Sequence, residues 1–116
     1  MSSGSKRTPN AESAKSEAVR RIVGATNPSR ILLFGSSARD SFAQAGDLDL
    51  MVIYDGLAAD AKRARTRDLY RLLWDLGYPT DIVVASEEDI ETKRDVVGYV
   101  YSDALREGVT LYERGR

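Results

Sequence analysis

Apolar and polar positions divide the chain into segments of two different periods. Ala11, Ala14, Ala18, Ile22 and Ala25 recur at helical spacing. They predict a helix opened by Asn10 as a cap and stopped at Asn27-Pro28. Its apolar face is mostly alanine, so it should pack closely and bury little. Arg30 to Phe34, Asp47 to Tyr54 and Thr80 to Ala85 are short, β-branched and apolar, and read as strands. The second is apolar on both faces after Asp49, as in a central strand covered by helices. Between the second and third, Leu69, Leu72, Leu73 and Leu76 mark a helix over about Leu57 to Leu76, ended by Gly77 and Pro79. Trp74 falls beside that leucine face and reads as packing. Ser86 then caps a helix with Glu87, Glu88 and Asp89 in its first turn and Ile90, Val97, Val100, Tyr101, Ala104 and Leu105 on its buried face. Gly108 closes it, and Val109 to Tyr112 make a short last strand. The expected fold is α+β (α/β by a looser naming): a small mixed sheet of roughly three to five strands with helices packed on it. Residues 1–9 read as a disordered lead-in and 10–116 as a single domain.

Two stretches carry chemistry. Ile31-Leu32-Leu33-Phe34 runs into Gly35-Ser36, a strand entering a tight turn. Gly35 lets backbone come close to a ligand, and backbone N–H groups at such a turn suit a phosphate. Ten residues later come Asp47 and Asp49. Residues i and i+2 on a strand share a face, so both carboxylates can hold the same divalent ions. A phosphate cradle beside a carboxylate pair is what metal-assisted phosphoryl or nucleotidyl transfer needs. Asp81, opening the third strand, is the candidate third carboxylate, because a charge in a buried strand is costly without a partner or a task. Each residue also has a plainer reading. The aspartates can be turn residues, Ser36 a helix cap, Arg39 a solvated surface arginine, and the basic run Lys62 to Arg71 a solvated helix face. A sharper use of that run is docking an acidic partner or RNA. Tyr99 and Tyr101 read as core and rim.

Composition narrows the chemistry. The chain has 116 residues and a formal charge of -1, with no general pull toward nucleic acid or an anionic membrane. It has no cysteine, hence no disulfide and no thiolate zinc site. It has no histidine, so acid–base work falls to carboxylates, lysine or tyrosine. No apolar run reaches the length of a membrane span and no signal-like segment opens the chain, so a cytoplasmic protein is expected.

Gly35-Ser36, ten residues, then Asp47-Leu48-Asp49 resembles the signature of the DNA polymerase beta-like nucleotidyltransferase superfamily. Over roughly residues 30 to 113 the chain resembles its minimal nucleotidyltransferase (MNT) branch, in particular the MNT antitoxins paired with HEPN toxins. Ser37-Ala38-Arg39 and the segment Ala104 to Glu113 share in the likeness. Asp40 stands where many relatives have glycine, and Gly46 where many have serine; these departures bear on how the loop meets the nucleotide, and neither removes a metal ligand that the resemblance implies.

The resemblance implies a nucleotidyltransferase fold and an Mg-ATP-dependent transferase. Asp47, Asp49 and Asp81 would be catalytic and would hold two Mg²⁺ ions, with Asp81 helping to deprotonate the attacking hydroxyl. Gly35, Ser36 and Arg39 would bind the nucleotide. The acceptor implied is a tyrosine on a partner HEPN RNase, silenced by addition of AMP. The chain is short for a substrate domain of its own, so the acceptor site should be completed by another chain in a hetero-oligomer. Two other readings stand beside this one: a binding module that neutralises its toxin by stoichiometric contact, and an enzyme modifying a small molecule such as an aminoglycoside, which usually needs an extra helical domain.

Overall fold

The computed structural model describes residues 11–35, 47–93 and 106–115. Helix α1 (Ala11–Thr26) leads into β1 (Arg30–Leu33), and β2 (Leu48–Tyr54) follows. A 3-10 turn (Ala59–Ala61) opens α2 (Lys62–Leu72); then come β3 (Thr80–Ser86), α3 (Glu87–Lys93) and β4 (Val109–Glu113). The four strands form one sheet in the order β3-β2-β1-β4. β1 runs antiparallel to β2 and β4, and β2 runs parallel to β3, so the sheet is mixed and the fold α+β as expected. Among the described residues no helix is long and apolar enough to cross a membrane.

The two faces of the sheet carry separate cores. Ile31, Leu33, Leu48, Leu50, Val52, Ile82 and Val84 point to one face and pack against Ala14, Ala18 and Ile22 of α1 and against Leu69, Leu73 and Leu76. The alanine face lets α1 lie close, and α1 docks on this chain's own sheet. Arg21 fastens it to the end of α2, donating to the Leu72 carbonyl oxygen (3.1 Å) and pairing with Asp75 (2.7 Å). Leu32, Met51, Ile53 and Ala85 point to the other face and meet Ile90 of α3. β2 is an inner strand, between β1 and β3, and is buried on both faces after Asp49, as its sequence requires.

Local signals explain the element ends. Asn27 takes the left-handed conformation (φ +51°) after α1, and its N–H donates to the Val23 carbonyl oxygen (3.1 Å), with Pro28 next. Ala25 is exposed, so the buried face of α1 ends at Ile22. Ser86 and Asp89 cap α3 reciprocally: the Ser86 hydroxyl accepts the Asp89 N–H (3.0 Å), and the Asp89 carboxylate accepts the Ser86 N–H (3.1 Å).

α2 is shorter than its leucine stripe implies. Its first residues form the 3-10 turn, and it ends at Leu72, after which turns carry Leu73 and Leu76 into the core. Trp74 is a correction: it is 87% exposed and lies outside the core, because the helix stops at Leu72 and the residues after it form a turn. Ser36, Ser37, Arg39, Asp40, Gly46, Val97, Tyr99, Val100, Tyr101, Ala104 and Leu105 lie outside the described residues.

Candidate active site

The candidate site lies where β1 ends and β2 and β3 begin. Asp49 and Asp81 are register partners across the parallel β2–β3 pair. Neighbouring strands sit about 4.8 Å apart. Asp49 shares a face with Met51 and Ile53, and Asp81 with Val83 and Ala85, by the alternation of side chains along a strand. Both carboxylates therefore stand on the α3 face of the sheet, side by side. Two like charges so placed repel unless a cation lies between them.

Backbone bonds hold this end of the sheet. The Leu48 N–H donates to the Pro79 carbonyl oxygen (2.9 Å), aligning the starts of β2 and β3. The Phe34 N–H donates to the Asp49 carbonyl oxygen (3.0 Å), which brings the end of β1 beside Asp49. Gly35 follows in the left-handed region (φ +66°), and a Cβ there would stand 3.0 Å from Asp49 Oδ2. The glycine anticipated as a point of close approach is thus the wall of the Asp49 carboxylate.

Asp47 precedes β2 in a bend and is exposed; Asp49 is half-buried. Asp81 is exposed on the edge strand, which corrects one expectation. Its presence at the start of β3 carries no burial penalty, so burial gives no reason for it. Among the described residues no group of three or more acidic side chains is gathered closely enough to hold a metal ion. The donor chemistry nonetheless suits Mg²⁺, which is commonly held by one or two carboxylates with substrate phosphates completing its shell. Asp49 and Asp81 would be those carboxylates.

Sequence reasoning missed Tyr70. Its hydroxyl accepts the Ile82 N–H (2.9 Å) on the open edge of β3, fixing the backbone one residue past Asp81. The signal was weak: Tyr70 stands one position off the Leu69–Leu76 stripe. The basic run is divided, as its spread around the helix implied. Lys62 pairs with Asp89, Arg65 lies over the Tyr54 ring (4.5 Å), and Arg67 and Arg71 face outward.

Three comparisons bear on this geometry. The nucleotidyltransferase domain family matches residues 14–110. A search of curated proteins finds no match. Among solved structures, a candidate nucleotidyltransferase from Sulfolobus solfataricus aligns with a TM-score of 0.65 and 17% identity, covering 90% of this chain and 81% of that one. A mutant of the toxin–antitoxin pair MntA–HpeT aligns with a TM-score of 0.50 and 17% identity, covering 87% of this chain and 73% of that one. At that identity both likenesses speak for the fold. The family match spans α1 to the start of β4 and takes in Gly35, both aspartates before and within β2, and Asp81; the chain belongs to the nucleotidyltransferase domain family.

Proposed function

We propose that this chain transfers AMP from ATP, in a Mg²⁺-dependent reaction, to a tyrosine hydroxyl of a partner HEPN-type RNase toxin, and so silences it. The observation that carries the transfer is the in-register pair Asp49 and Asp81 with the Gly35 backbone against Asp49. The family match supports a transferase of the nucleotidyl class. The likeness to the MntA–HpeT pair supports a toxin as partner.

In this reaction the acceptor oxygen bonds to the α-phosphorus, the α–β phosphoanhydride bond breaks, and pyrophosphate leaves. Divalent ions, when bound, supply positive charge that offsets the growing charge on the phosphates and lowers the acceptor's pKa. Asp49, half-buried against Gly35, provides a fixed carboxylate on the nucleotide side. Asp81, exposed on the edge strand, is accessible to a hydroxyl from another chain and takes its proton. Asp47, exposed in the bend before β2, is a further carboxylate near the start of that strand, not gathered with the other two. Gly35 with Ser36 and Arg39 grips the phosphates, since a turn of backbone N–H groups with a guanidinium suits them.

The test is intact-mass spectrometry of the neighbouring gene's product after incubation with this protein, ATP and Mg²⁺. The expected result is a gain of one or more AMP units, absent with Asp49→Asn and with Asp81→Asn, while both variants keep the wild-type circular dichroism. Full gain with either variant overturns the mechanism. No gain, with a tight complex still formed, favours the second reading, an antitoxin acting by stoichiometric binding. That reading draws on the fact that the described acidic side chains do not gather into a three-carboxylate cluster.

A further inference from the structure

The outer surface of α2 carries a groove of about 440 Å³ lined by Arg67, Tyr70, Arg71 and Trp74. Arg67 and Arg71 stand one turn apart on α2, about 6 Å along its axis, with Tyr70 beside them, and Trp74 closes the groove from the turn that follows the helix. Trp74 is 87% exposed and Tyr70 40%. Among the described residues neither Arg67 nor Arg71 is held by an ion pair, whereas Arg20, Arg21, Arg30 and Arg114 all are. Tryptophan, tyrosine and arginine are the residue types that dominate binding hot spots. Covering one large aromatic side chain removes roughly 150–250 Å² from water.

We infer that this groove docks an acidic amphipathic helix of a partner protein, with carboxylates on Arg67 and Arg71 and an apolar side chain between Tyr70 and Trp74. Charge complementarity selects the acidic partner. A nucleic acid is less well matched: the chain's net charge is -1, and Lys62 and Arg65 are engaged elsewhere on α2. An added β-strand is also less well matched, because the Tyr70 hydroxyl already takes the Ile82 N–H that an incoming strand would need. The same bond ties the groove to β3, one residue from Asp81, so a partner seated here lies beside the strand that carries that carboxylate. The inference does not depend on the transfer reaction.

Trp74 is the chain's one tryptophan, so its emission reports on the groove directly. The probe is a synthetic amphipathic helix with leucines at i, i+3, i+4 and i+7 flanked by glutamates; the control replaces the glutamates with lysines. Titrating the full chain with the acidic peptide should give a saturable blue shift. The affinity should fall about tenfold or more in the double variant Arg67→Glu/Arg71→Glu. Asp49→Asn should leave the shift unchanged, which separates this surface from the candidate active site. An equal response to the lysine peptide, or an unchanged affinity in the charge-reversed variant, overturns the inference. So does a response to single-stranded oligouridine with none to the peptide, or no response at millimolar peptide. A concentration-dependent blue shift without peptide, accompanied by a doubled mass in sedimentation, overturns it in favour of a second copy of the chain.

Discussion

Gly35 is the residue on which the site's geometry turns. It combines a left-handed backbone with 3.0 Å of clearance between its missing Cβ and Asp49 Oδ2. Gly35→Ala meets two penalties at once, the left-handed conformation of a non-glycine residue and a contact that moves the carboxylate. The expected outcome is destabilisation of about 1–3 kcal/mol, read by urea unfolding, and a loss of transfer at temperatures where the variant is still folded. Wild-type transfer in a folded Gly35→Ala would show that the Asp49 position is not critical. The Asp47-x-Asp49 spacing is visible in the sequence, but only Asp49 lies on β2, so the strand's period does not set where Asp47 points. Asp81 is legible as the carboxylate to join them, but its register with Asp49 is not, because that depends on two strands separated by α2 and no local pattern sets it. Trp74 was misread for a similar reason: its exposure depends on where α2 stops.

Among the elements, the strands and the start of α3 were legible because β-branched runs and a Ser-x-x-Asp cap are local signals. The end of α2 was not, since Leu73 and Leu76 stay buried in turns that continue the stripe without the helix. How α3 is fastened was also hidden. Glu87, its first residue, forms a two-pronged ion pair with Arg30 of β1 (3.1 and 2.8 Å) and accepts from the Ser29 hydroxyl (2.6 Å). The Arg30 guanidinium holds the Glu87 carboxyl below its usual range, against an opposing effect of burial. At Asp89 burial acts upward, but Lys62 and the Ser86 N–H outweigh it, and that carboxyl too is lowered. A carboxyl lowered in the folded state stabilises fully above its unfolded value, about 4, and the contribution is lost as pH falls through the folded value. Glu87→Gln should therefore cost about 1 kcal/mol at neutral pH, with the gap to wild type narrowing on acidification below about pH 4. Urea midpoints measured at neutral pH and at acid pH check this; a gap independent of pH removes the ionic contribution. The bond lies at the end of β1 away from the aspartates, so transfer at neutral pH should be unchanged.

At the scale of the whole molecule, the candidate site and the groove proposed for docking occupy different sides of one edge strand. The carboxylate pair stands on the α3 face, whereas the arginine–aromatic groove lies on the outer surface of α2, and β3 touches both. The sheet order places β2 between β1 and β3, so both rows of its backbone groups are paired along most of its length. That has a consequence for how the molecule opens. Amide hydrogens exchange with solvent when their bonds break, and doubly bordered strands in a core are among the last to release them. In deuterated water, the amides of Leu50 to Ile53 should be the slowest to exchange and those of β4 much faster. If so, Asp49 is anchored on the most durable part of the chain, and local fraying at either rim of the sheet leaves its place intact.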